Sequence, residues 1–241
     1  MILALLNFEF HKYIKSNKFI GPLIALLGFL AASYSIAPLS ILSSFSLSSL
    51  WLYLIMMWIG YTYNDVKITA TEQVVYLRVK KKSNIWLSKI LFMFLICFVA
   101  TLICLSYPLI TNVINNNHLF DRPVEPNDIL ISLLFHFLFG CVGSLIGLFL
   151  NERIISNRKL AVCYIALIGI TTIVKDSIED KQPIMHFITW ILPPLNHAAG
   201  VLGQMEHLSY GVLMKPILLI ILYIMVQAIL YIQLMKYRLF E

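Results

Sequence analysis

The chain has little charge: 12% of its 241 residues are Asp, Glu, Lys or Arg, about half the share usual in soluble globular domains. That scarcity excludes a water-facing surface over most of the molecule. Several motifs are missing as well. No GxxxxGK[ST] run occurs, so the usual phosphate-cradling loop of a nucleotide hydrolase is absent. No HExxH and no pair of carboxylates falls inside an apolar run, which leaves a metalloprotease or a carboxylate proton relay without its working groups. The four cysteines, Cys97, Cys104, Cys141 and Cys163, lie in apolar runs without CxxC spacing. That placement suits small buried hydrophobes and argues against a disulfide framework. The histidines His118, His186, His197 and His207 offer no pair at helix-face ligand spacing, so no metal site is expected. No internal repeat is visible, and the Ser-rich "SILSSFSLSS" is the sole low-complexity tract.

What the chain does have is apolar length. Of its residues 60% are hydrophobic, and the mean hydropathy is +0.84. The apolar residues gather in windows at 19–37, 45–63, 90–110, 129–150, 160–174 and 217–235. A helix of about 20 residues, rising about 1.5 Å each, crosses a hydrocarbon core of about 30 Å. The fifth window is short. After a charged stretch follows "IMHFITWILPPL", 184–195, broken by Pro193 and Pro194. It is too short to cross and must cover its loose backbone with protein, which predicts a re-entrant outer hairpin within 175–212. The expected fold is an all-α polytopic membrane protein, one transmembrane domain over 1–241 with six transmembrane helices.

Charge sets the expected orientation. With six crossings both termini share a side, and that side carries 14 of the 18 Lys and Arg, whereas seven of the twelve acids fall on the other. The positive-inside rule makes the basic side cytoplasmic in a cell (plasma) membrane. The +6 net charge is thereby explained as topology, and no nucleic-acid partner is needed. Residues 1–18 place Leu3, Leu6, Phe10, Tyr13 and Ile14 at helical spacing, with Asn7, His11, Lys12, Lys15 and Lys18 on the other side. This predicts an amphipathic interfacial helix lying on the lipid bilayer. Its apolar stretch precedes its lysines, the reverse of a signal peptide, so the segment is read as retained.

Inside the spans few groups carry chemistry. His136 is the one ionisable residue well inside an apolar run; it is read either as a substrate contact, with Trp51 and Tyr34 as further substrate-path candidates, or as a helix-packing histidine. No catalytic residue is expected. Small residues at close spacing, Gly21, Ala25, Gly28 and Ala32 in the first span and Gly140, Gly143, Ser144 and Gly147 in the fourth, fit either a dimer seam or packing within the chain.

The segment 64–89, joining the second and third spans, is long for a membrane turn. It reads "EQVVYLRVKKKSNIWLSKIL" from Glu72. Val74, Val75, Leu77 and Val79 alternate with Glu72, Arg78 and Lys80, giving a short helix with one apolar and one charged face. Glu72 with Gln73, then "VVYLRVKKK", then Ser83, Leu87 and Lys89 entering the third span, resembles the membrane subunit of type-2 ATP-binding-cassette exporters. The likeness covers the whole chain, including the short loop "NERIISNRK" and the broken "ITWILPPLNHAAG". It departs at Tyr76 and Ser83, where the family often has Gly and Pro. In its minimal outer loops the chain is similar to Gram-positive peptide exporters, such as those for phenol-soluble modulins, and to bacteriocin-immunity permeases.

The resemblance implies a permease subunit that is not itself an enzyme. A separate cassette ATPase would bind ATP and Mg, and a second copy of the chain or a related permease would complete the transporter. Coupling to the ATPase would fall on Asp65, Glu72, Gln73, Tyr76, Leu77, Arg78 and Lys80 and on Asn151, Glu152 and Arg153. The cargo implied is an amphipathic peptide or another hydrophobic molecule, with antimicrobial resistance as one use; export of a polysaccharide or lipid-linked polymer stays open within the family. Outside it stands an ATP-independent channel, sensor or intramembrane enzyme.

Overall fold

The computed structural model describes residues 1–66, 74, 75, 77–79, 81–151, 154, 155, 157–205 and 210–237. Among these the chain is α-helical, without a β-strand, and nine α-helices are named here. They are α1 (Ile2–Lys15), α2 (Ile20–Ser33), α3 (Ile41–Asn64), α4 (Ser83–Ile114), α5 (Pro126–Phe149), α6 (Arg158–Lys181), α7 (His186–Thr189), α8 (Leu195–Gly203) and α9 (Tyr210–Tyr237). Five of them, α3, α4, α5, α6 and α9, are long and apolar enough to cross a membrane. The chain is therefore a multi-pass membrane protein.

The entrance to the bundle differs from a straight first span. α1 and α2 meet at 77°. Asn17 occupies the left-handed region at φ 55°, a conformation that Asn tolerates better than most residues. Ser16 Oγ donates to Tyr13 O at 2.6 Å and accepts from Lys18 N at 3.3 Å, so the break is hydrogen-bonded. Pro22 sits in the first turn of α2, where its missing N–H costs no helical bond. α2 itself spans 14 residues, about 21 Å at 1.5 Å per residue. That is shorter than the 19–37 window, because the chain leaves the helix at Tyr34 and turns through a cis Ala37–Pro38 peptide.

At the centre α3 and α5 form the closest helix pair. Their backbones approach so nearly that a Cβ on Gly60 would stand 2.6 Å from Ser144 O, and one on Gly147 would stand 2.8 Å from Tyr61 N. Small residues permit this approach, and dispersion between the two backbones follows from it. The small-residue stripe of the fourth window thus packs within the chain. Gly28 on α2 meets nothing within 4 Å, so the first-window stripe makes no comparable seam. Buried Ser49 bonds back within α3, donating to Ser46 O at 2.7 Å, which lets a Ser-rich tract serve as the opening turns of a span.

Two apolar clusters flank this pair. One joins it to α1, α2 and α4, the other to α6, α8 and α9. α6 runs on to Lys181, past the window ending at 174. Lys175 and Glu179, at 3.9 Å and one turn apart, support that extension. Beyond it α7 and α8 fold back over the end of the bundle. Leu195, Ala198, Ala199 and Leu202 of α8 are buried, Ser46 donates to Ala199 O at 2.7 Å, and Tyr223 Oη donates to Ile191 O at 3.0 Å. Carbonyls of the broken segment are thereby satisfied by the spans, as irregular backbone near hydrocarbon requires.

At the same end, Asp128 closes a capping box with Glu125 at the start of α5 and takes Arg122 in a fork at 2.8 and 2.9 Å. Asp128 is fully buried, and hydrogen bonding to it raises the Arg122 guanidinium above its ordinary value.

Candidate functional site

The opposite, basic end gathers most of the candidate residues. α3 ends there in Tyr63-Asn64-Asp65, and each side chain ties α3 to a different part of the bundle. Asn64 Nδ2 donates to Gly147 O at 3.0 Å, fixing α3 to the last turn of α5. Asp65 accepts from Arg158 at the start of α6 at 2.6 Å and pairs with Lys18, beside the α1–α2 break, at 3.4 Å. The carboxylate proposed from sequence for coupling thus joins three elements. Lys18 and Arg158 are 33% and 71% exposed, so solvent screens the pairs and they position more than they stabilise.

Tyr63 makes the third tie, to a residue not singled out from sequence. Its hydroxyl donates to Glu9 Oε2 at 2.6 Å. Lys12 stands 3.7 Å from the same oxygen and 5.2 Å over the Tyr63 ring. Lys89 of α4 lies 5.0 Å over Trp86 and 5.9 Å over Tyr63. Glu9 and Lys12 are 3% and 4% exposed, so Lys12 faces the bundle and not the solvent side expected of it. A lone acid three residues before a lysine in an amphipathic helix was the available signal. Two charges and an aromatic ring shielded from water attract strongly when each has a partner.

The segment after α3 rests on this cluster's flank. Val75, Val79 and Ile85 pack on Leu5 of α1, while Leu77 stands 86% exposed, Val74 46%, and Arg78 is exposed. One apolar edge is anchored and the other is presented outward. Asn151 donates to Leu148 O at 3.1 Å and to Met235 Sδ at 3.7 Å and accepts from Ile154 N at 3.2 Å; it caps α5 and reaches α9. Glu72, Gln73, Tyr76, Lys80, Glu152 and Arg153 lie outside the described residues.

His136 belongs to a separate, buried group. Its Nδ1 faces Ser132 O at 2.7 Å and therefore carries the proton, and Nε2 then accepts from Ser48 Oγ at 2.8 Å. Tyr34 Oη donates to the same Ser48 oxygen at 3.4 Å. Two of the three substrate-path candidates are thus joined in one chain across α2, α3 and α5. Trp51 stands apart, stacked on Phe29 with ring centroids 4.4 Å apart and planes at 13°. His136 and Ser48 are 0% and 1% exposed, and the group ties three helices together.

Among the described residues, no group of three His, Cys, Asp or Glu could hold a metal ion. Neither a protein family model, nor a curated protein, nor a solved structure matches the chain.

Proposed function

We propose that the chain is the membrane subunit of an ATP-driven exporter, working as two permease copies on a separate cassette ATPase that binds ATP and Mg. The observation that carries this reading is the segment around Leu77. A leucine 86% exposed on a polar, basic end gives up about 1.5–3 kcal/mol that burial would supply. Val74 and Arg78 flank it, and Val75 and Val79 pin the same segment to α1. A protein partner that takes Leu77 recovers that energy, and the positive-inside distribution supports a cytosolic position for this end, where ATP is.

The same end carries Asp65, whose pairs with Lys18 and Arg158 would pass motion on to the α1–α2 break and the start of α6. In this reading the bent α1–α2 pair is the interfacial helix and the sixth crossing, and the folded-back α7–α8 segment is the outer re-entrant hairpin. The cargo is an amphipathic peptide or similar hydrophobic molecule.

The test is reconstitution with a cassette ATPase from the same cells. Expected are a stable complex, a rate of ATP hydrolysis altered by the chain, and loss of both in Leu77→Asp; Glu72→Lys is expected to uncouple hydrolysis from the membrane subunit. A complex whose assembly and hydrolysis ignore Leu77→Asp would remove the docking role. A purified chain that neither binds nor alters an ATPase, yet conducts ions or cleaves a substrate alone, would favour the ATP-independent class.

A further inference from the structure

We infer that an anionic diacyl phospholipid occupies the apolar groove between α1, α2 and α4, with one acyl chain in the groove and its phosphate at Lys15. The groove holds about 680 Å³ and is lined by residues that include Leu6, Phe10, Leu26, Ile59, Phe92 and Val99. Asn7 and Tyr13 are the polar residues on its wall. Leu95, Phe98 and Val99 of its α4 wall are exposed, so the groove opens on an apolar flank of that span.

Its length selects the ligand. Along α4 the wall runs from Phe92 to Ile103, about 16 Å at 1.5 Å per residue. One leaflet of hydrocarbon is about 15 Å, half of a core of about 30 Å. A chain that starts at the interfacial helix and runs to mid-bilayer therefore fills the wall.

The rim supplies the charge. Ile14 and Phe19 line the groove, and Lys15 and Lys18 are their chain neighbours. Lys15 is exposed, with no hydrogen bond or ion pair among the described residues. Lys18 shares the Asp65 carboxylate with Arg158. The nearby carboxylates are both engaged, Glu9 with Tyr63 on the buried face of α1 and Asp65 with Lys18 and Arg158. The rim is net positive, with Lys15 its cation outside any described ion pair, beside an apolar slot, which suits a phosphate diester with a net negative headgroup. This inference is independent of export.

The purified full chain, mixed with equimolar phosphatidylglycerol and phosphatidylcholine of identical acyl chains, is examined by native mass spectrometry. Expected is one phosphatidylglycerol retained about fivefold over phosphatidylcholine, the factor one lysine near a phosphate contributes, with the preference falling towards unity in Lys15→Ala. Val99→Trp fills the slot and loses both lipids, while Leu222→Trp on exposed α9 keeps them. Leu3→Trp, at the groove's exposed end, repeats the Val99→Trp result if that variant fails to fold. Equal retention of the two lipids, an unchanged preference in Lys15→Ala, undiminished lipid in both groove variants, or displacement of the lipid by an equimolar amphipathic peptide would each overturn the assignment.

Discussion

Replacing Gly147 by Ala tests the centre of the fold with a single methyl group. The new Cβ would meet Tyr61 N at 2.8 Å and Gly60 Cα at 2.9 Å, against an ordinary contact of 3.4 Å or more. These are backbone atoms, so no rotamer change relieves the overlap and α3 and α5 must separate. An opening of about 0.5–1 Å forfeits about a quarter to a half of the dispersion well at each contact along the seam. Overpacking of this kind costs about 1–3 kcal/mol. The usual gain from replacing a helical glycine largely drops out, because separated spanning helices remain helical in a micelle or bilayer. Gly28→Ala supplies the control. Its Cβ meets nothing within 4 Å, and the change is expected within about 0.5 kcal/mol of the parent. Thermal loss of the monodisperse gel-filtration peak in detergent compares the two. Gly147→Ala should aggregate at a clearly lower temperature than Gly28→Ala; equal stability of the two variants would show that the α3–α5 backbones do not touch as described.

Glu9→Ala leaves Tyr63 and Lys12 in a site shielded from water and should destabilise the chain by about 3 kcal/mol, with Glu9→Gln recovering part of that loss because it still accepts from Tyr63; a denaturant titration in micelles checks both. Ser48→Ala removes the hydroxyl between Tyr34 and His136 and should cost about 1 kcal/mol, read by the same titration, without changing transport if His136 serves packing alone.

Much of the architecture is legible in apolar length alone, since a run of about 20 residues has few other fates. The windows at 45–63, 90–110, 129–150 and 217–235 lie within α3, α4, α5 and α9, apart from one residue past the end of α5. Window ends are less legible. α6 outruns its window because charged Lys175, Asp176 and Glu179 lower hydropathy without breaking a helix, and α2 stops short because Tyr34 packs inward beside Ser48. The site is legible in kind but not in pairing. Asp65 is recognisable by its place at the head of the segment between the second and third windows, yet its partners Lys18 and Arg158 lie 47 and 93 positions away along the chain. Glu9 escaped because a helix lying at an interface invites a two-sided reading, apolar towards lipid and charged towards water. Here a third face meets protein and holds the charges.

The proposal of an ATPase partner stands or falls at position 77. A photo-crosslinking amino acid placed there in cells, compared with the same probe at lipid-facing Leu218, reports what covers the exposed edge. The docking account predicts a covalent adduct to an ATP-binding subunit from position 77 and none from 218. Capture of lipid alone at position 77 would contradict it.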